Sequence, residues 1–228
     1  MSADISTKLD DLVQKIQSAY QAEGGVGANQ LNPDFPLSSD PVMNELVFSM
    51  LLWESSVAHA LKAVERIDSE LVDLNELRVC TSDELSGILG ARMPRSAERA
   101  HRLLLVLNTI YDRENTLELA RFNDLSKKEV QEYLGDIDGL PEYVIARIIL
   151  LVLGWHSMPL DERLAKMLTA EAVLESSSPL DQQAAALERA VRATDALNTY
   201  TVLEHWSQDQ RVSGRARSSK NQTKGATS

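Results

Sequence analysis

The segment Ile137–Lys166, IDGLPEYVIARIILLVLGWHSMPLDERLAK, restricts the fold of this chain more than any other. It opens with a Gly139-Leu140-Pro141 turn. Proline sets φ near the helical value and lacks an N–H, so Pro141 suits the start of a helix. Asp136, Asp138 and Glu142 around the turn complement the positive end of that helix. The run Tyr143–Leu153, interrupted by Arg147, is apolar on all sides, as a buried helix is. It is well short of the roughly 18 residues a membrane span needs. After Leu153-Gly154-Trp155 the chain reaches Leu160-Asp161, where an aspartate following a Pro-Leu pair reads as the N-cap of another helix.

The same helical logic runs through the rest of the chain. Asp4–Gln21 carries an apolar stripe at Ile5, Leu9, Leu12, Val13, Ile16 and Ala19. Gly24–Pro41 collects Gly, Asn, Pro and Ser and reads as a loop. Asp40-Pro41 starts a helix expected to run from about Val42 to Ile67, and a further helix covers about Ser96–Tyr111. Start signals of the form Ser/Thr-x-x-Glu/Asp recur at Thr81, Ser126 and Ser178, with Gly90 and Gly135 expected to stop the first two helices. Pro179–Trp206 is helical in period throughout. No segment alternates convincingly as a strand, so the expected class is all-α.

Charge sets the next limit. The net charge is −11, unevenly spread. The last 18 residues hold Arg211, Arg215, Arg217, Lys220 and Lys224 with no acid, a tail of disordered composition. Elsewhere 18 basic side chains face 34 acidic ones, a body of charge −16. Such a body resists nonspecific contact with a polyanion unless its cations gather on one face, and it suits a basic protein partner. The single cysteine, Cys80, excludes an internal disulfide framework and a four-cysteine cluster. His59, His101, His156 and His205 show no metal-ligand spacing, so neither metal nor cofactor is expected. With no signal-peptide pattern and no apolar span, the chain reads as soluble and cytoplasmic, without a membrane partner, and as a monomer.

Residues Ile137–Lys166 resemble, without gaps, the hairpin, buried helix and aspartate segment of the helix-hairpin-helix DNA glycosylases of the endonuclease III type. Two weaker matches lie in the right order: Met50–Ser56, MLLWESS, and Gly90–Glu98, GARMPRSAE. The resemblance implies a two-lobed, all-α fold. Residues 42–161 would form a six-helix barrel with the hairpin. Residues 1–41 and 162–208 would build the second lobe, with 209–228 as the basic tail. It implies a protein of base excision repair acting on duplex DNA with a damaged base, without the iron-sulfur cluster of many relatives.

On that resemblance Asp161 is the carboxylate, facing a groove, that stabilises charge as the N-glycosidic bond breaks. Its role as an N-cap is compatible with this one. Tyr143 stands where bifunctional relatives hold the lysine that forms an imine. A phenol cannot make that bond, so a monofunctional glycosylase without a lyase step is implied. Tyr143 would line the pocket, or pack into the core. Relatives that hydrolyse adenine use a glutamate on the early helix, and its counterpart here is Ser49. Gly139, Leu140 and Pro141 form the DNA-gripping hairpin, but Pro141 deletes an N–H that would hold phosphate, and the surrounding acids oppose it. Glu54 matches the glutamine that fills the gap left by an extruded base, with Trp53 beside it to stack or to be buried. Arg92 and Arg95, with Arg99 and Arg102, form a basic patch near the presumed groove, and Lys166 occupies a basic position of the following helix. The alternative to an enzyme is a catalytically inactive descendant that binds DNA or protein.

Overall fold

The computed structural model describes residues 2–21 and 38–209. The basic tail and most of the Gly24–Pro41 loop therefore lie outside the described residues. Among those described, every regular element is helical: α1 (Ser2–Gln21), α2 (Pro41–Leu52), α3 (Val57–Glu70), α4 (Leu74–Val79), α5 (Ser82–Leu89), α6 (Ser96–Glu114), α7 (Lys127–Gly135), α8 (Glu142–Arg147), α9 (Glu162–Ala170), α10 (Leu180–Ala190) and α11 (Ala196–Gln208), with a 3₁₀ turn at Ala120–Asp124. The all-α expectation holds. No described helix is long and apolar enough to cross a membrane.

The caps explain most of the boundaries. Thr81 and Ser126 each accept a hydrogen bond from the N–H three residues on, and the carboxylates of Glu84 and Glu129 accept one from the backbone N–H of the cap residue. Such reciprocal pairs satisfy two of the donors a helix start leaves open. The Ser178 signal does not work this way: α10 begins after Pro179 without a side-chain cap. Asp40 caps α2 through Val42 N at 2.7 Å and Met43 N at 3.2 Å. The single helix expected to Ile67 is broken. Glu54 turns the chain at φ +50, and Ser56 caps a new helix by accepting from His59 N. Gly90 ends α5 at φ +83, as expected, whereas Gly135 is the last residue of α7 and Asp136 follows it. The period of Pro179–Trp206 is divided between α10 and α11.

The chain forms two compact units, one of α1 with α9–α11 and the other running up to Asp161. In the first, α1 packs on α10 and α11, and α11 on α9. Leu9, Val13, Ile16, Leu168, Leu187, Leu203 and Trp206 are buried there, and the buried Glu204 accepts from Arg163 and Gln208.

In the second unit α2 is the central helix: ten of its residues, from Val42 to Leu52, are buried, and it packs on α3, α6 and α8. Its apolar sides are covered all round, which accounts for the lack of a polar face. α7 and α8 form the hairpin around Gly139 (φ +84). A side chain at Gly139 would place its Cβ 3.3 Å from Leu105 Cδ2 and 3.7 Å from Arg102 Cγ, so the turn lies close against α6. α8 continues into a π-helical turn, Ile148–Val152, where Leu153 N donates to Ile148 O at 3.1 Å.

Candidate functional site

Asp161 is the last residue of the second unit, and its side chain is 0% exposed. Met158 and Leu160, just before it, are buried as well. Its Oδ2 accepts a hydrogen bond from Glu54 N at 3.2 Å, joining residues 107 apart in sequence. Asp161, expected from the sequence to face a groove, thus has no exposed surface of its own. Burial demands that an ionised carboxylate be hydrogen-bonded, and the backbone of the Trp53–Ser55 turn supplies a donor.

That turn carries the rest of the cluster. Glu54 pairs through Oε2 with Arg95 Nη1. Arg95 sits in the left-handed region at φ +54 and binds Glu98 through Nε at 2.7 Å and Nη2 at 3.0 Å. Arg102 Nη2 closes the chain on Glu98 Oε1 at 2.9 Å. The hydrogen bonds from Arg95 hold Glu98 below the usual carboxylate range, and Glu98 in turn raises Arg95. Trp53 is half-buried, with the guanidinium carbons of Arg95 and Arg102 each 4.9 Å from its ring centre and that of Arg99 at 5.9 Å. Its indole ring is thus met by cations.

Arg99 is a structural member of the patch. It is 1% exposed and donates to the carbonyls of Met50, of Trp53 at 2.8 Å and of Pro94 at 3.4 Å, tying the end of α2 to the start of α6. Burial first, and then Arg95, pulls its pKa down to about 10, so it stays charged at neutral pH. Of the four arginines, Arg92 makes no side-chain hydrogen bond or ion pair among the described residues; it lines a separate cleft with His59, Lys62 and Arg66.

Tyr143 is 3% exposed, with Arg147 5.8 Å from its ring centre. It packs within the apolar core of its unit. One turn deeper lies a cluster that the sequence reading missed. Arg147, Glu45 and Ser49 are all fully buried; Arg147 Nε donates to Glu45 Oε1 at 2.7 Å and to Ser49 Oγ at 2.8 Å, and Ser49 Oγ donates to Glu45 Oε1. The available signal was one charge of each sign inside two otherwise apolar helices, but nothing in a sequence pairs residues 102 apart. Lys62 and Arg66 were also missed, although His59, Lys62 and Arg66 stand at i, i+3 and i+7 on one face of α3.

At the hairpin, Pro141 precedes α8 at φ −69 and ψ 143, and its carbonyl accepts from Val144 N at 2.9 Å. Leu140 N donates back to Ile137 O at 3.2 Å, and Arg113 Nη2 holds Asp136 O at 2.8 Å. Asp138 and Glu142 are exposed on either side. The turn is well formed, but its edge is acidic. Lys166 lies in the other unit, exposed on α9, and pairs with Glu162 at 2.9 Å. Asp161, Glu54, Trp53, Arg95, Arg99 and Arg102 therefore make one connected cluster. Among the described residues, no group of three or more His, Cys, Asp or Glu side chains is arranged to hold a metal ion.

No family model matches the chain, and no curated protein matches it in sequence. Solved structures do. A trapped covalent intermediate of endonuclease III with DNA aligns at a TM-score of 0.64 and 9% identity, over 88% of this chain and 85% of that one. The 3-methyladenine DNA glycosylase MagIII of H. pylori, bound to 1,N6-ethenoadenine, gives 0.61 and 12% over 87% and 96%. A thermostable thymine-DNA glycosylase gives 0.58 and 15% over 88% and 86%. At these identities the likeness establishes architecture: the chain has the all-helical fold of the helix-hairpin-helix DNA glycosylases.

Proposed function

We propose that this chain is a non-excising member of the glycosylase fold that binds DNA. The observation that carries this reading is the burial of Asp161, whose Oδ2 is engaged by the Glu54 amide. A carboxylate that assists N-glycosidic cleavage must reach the sugar as positive charge develops, and one sealed in protein cannot. Three further features agree. Tyr143 offers no amine and is itself buried. Ser49 and Glu45, on the early helix, are committed to Arg147. Glu54 is committed to Arg95 and would bring a negative charge into a duplex. DNA is the favoured partner because endonuclease III, similar in fold over most of this chain, is known in both covalent and non-covalent complexes with DNA.

The test uses the full chain on duplexes carrying uracil, an alkylated base or an oxidised base, at low salt, followed by alkali cleavage of abasic sites. Duplex retention that weakens with salt, without strand cleavage, is the expected result. Strand cleavage would overturn the reading. A second reading, monofunctional base hydrolysis by Asp161, is favoured by one observation: the amide that covers the carboxylate belongs to Glu54, a non-glycine residue at φ +50. A non-glycine backbone held in that region stores strain, and relaxing it would release Asp161 Oδ2 from this amide. Asp161→Asn abolishing any cleavage would establish that reading.

A further inference from the structure

In a body this acidic, a cleft whose charge is positive is the anomaly. Between α3 and the Gly90–Met93 segment lies a cleft of about 380 Å³ lined by His59, Lys62, Glu65, Arg66, Leu89, Arg92 and Met93. Three full cations face one carboxylate. Among the described residues, Lys62, Arg66 and Arg92 form no ion pair, although most arginines on the same unit are matched with an acid or buried. Three unneutralised cations around one hollow repel each other, and an anion relieves that repulsion.

The cleft is also built. α3 places His59, Lys62 and Arg66 along one side, with His59 anchored through Nδ1 to Ser56 Oγ at 3.0 Å. Arg66 is fixed by a 2.7 Å bond from Nη1 to Leu89 O, and its guanidinium occupies the space a side chain at Gly90 would need. That single bond leaves its other N–H groups available, since guanidinium has five. Leu89 and Met93, both nearly buried, floor the hollow with apolar surface. Cations over an apolar floor suit an anion attached to an organic group rather than a bare ion.

We propose that this cleft binds the phosphate of a phosphate ester, with Lys62 and Arg92 as movable contacts and Arg66 as the fixed one. The proposal rests on the reading of the chain as a DNA-binding protein and names where a phosphate would be held. It also fits the acidic hairpin, which is poorly suited to that task. The ester has two sources, a free nucleotide or a strand of DNA, and the experiment separates them.

Amide resonances of the full chain are followed during titration with thymidine 5′-monophosphate, with thymidine as the uncharged control, and with a short duplex, all at constant ionic strength. Shifts are expected at residues 59–66 and 89–93 with the monophosphate and not with thymidine. The double variant Lys62→Gln/Arg92→Gln should weaken that binding tenfold or more, while Lys128→Gln, on exposed α7, should leave it within twofold. Both lysines and Arg92 are exposed, so the variants should fold. The same shifts and the same loss with the duplex would assign the phosphate to DNA. Shifts with the monophosphate alone would assign it to a free nucleotide. Equal response to thymidine, no response at these residues with either ligand, or unchanged affinity of the double variant would overturn the site. Base excision, assayed separately, bears on the proposed function and not on the cleft.

Discussion

Two polar assemblies flank α2, and they are built on opposite principles. At one face, Arg147, Glu45 and Ser49 are fully dehydrated and bonded to one another through Glu45 Oε1, with Glu45 Oε2 left without a partner. At the C-terminal end, Glu54, Arg95, Glu98 and Arg102 form a chain of ion pairs whose side chains are 20–44% exposed. The first must stay intact because water cannot replace a lost partner. The second can be taken apart because water can. Asp161 belongs with the first in burial and with the second in position, since its donor is the Glu54 amide.

Breaking the buried assembly should have the largest effect. Arg147→Met strands Glu45, and losing one partner of a buried pair costs about 3–5 kcal/mol. At roughly 2–4 °C per kcal/mol for a chain of this size, a drop in Tm on the order of 10 °C is expected by calorimetry. The double variant Glu45→Met/Arg147→Met should recover most of that loss. A double variant as unstable as the single one would show that the charges do more than neutralise each other.

Asp161→Ala should come next. It leaves the Glu54 amide without its acceptor, at a cost of about 1–3 kcal/mol in denaturant unfolding. A change near zero would mean that the hydrogen bond is marginal and the carboxylate easily uncovered.

The exposed chain should matter least. Glu54→Gln should cost about 0.2–1 kcal/mol, and a double-mutant cycle with Arg95→Gln should return a coupling in the same range. Its pH dependence is a finer probe. Hydrogen bonds from Arg95 lower the pKa of Glu98, and those from Arg121 lower that of Glu114. A carboxylate lowered on folding adds stability above its unfolded pKa, near 4.5, and loses it as pH falls through the folded value. A small loss below pH 4.5 is therefore expected, and it should be reduced in Glu98→Gln.

What the sequence disclosed follows from the range of each interaction. The capping boxes at Thr81 and Ser126 are local, complete within four residues, and the helices begin where they say. The break between α2 and α3 was hidden because Trp53–Ser56 holds neither Gly nor Pro, although Trp53, Glu54 and Ser56 all leave helical geometry there. Asp161 was legible as a position but not as an environment. Its environment includes the amide of Glu54, 107 residues away, which no local pattern announces. The patch of four arginines looked uniform in sequence. Folding sorted it into a buried strut, two members of an ion-pair chain and one unpaired cation, Arg92, by neighbours from α2 and α3.

Gly90 ends with a consequence larger than its size. Because Arg66 lies where a Cβ would be, within 1.7 Å of it, any other residue there must evict a guanidinium. An uncharged position thus governs the electrostatic potential of the hollow beside it: replacing one hydrogen with a methyl group would alter its field as a charge mutation does, with the net charge of the protein unchanged.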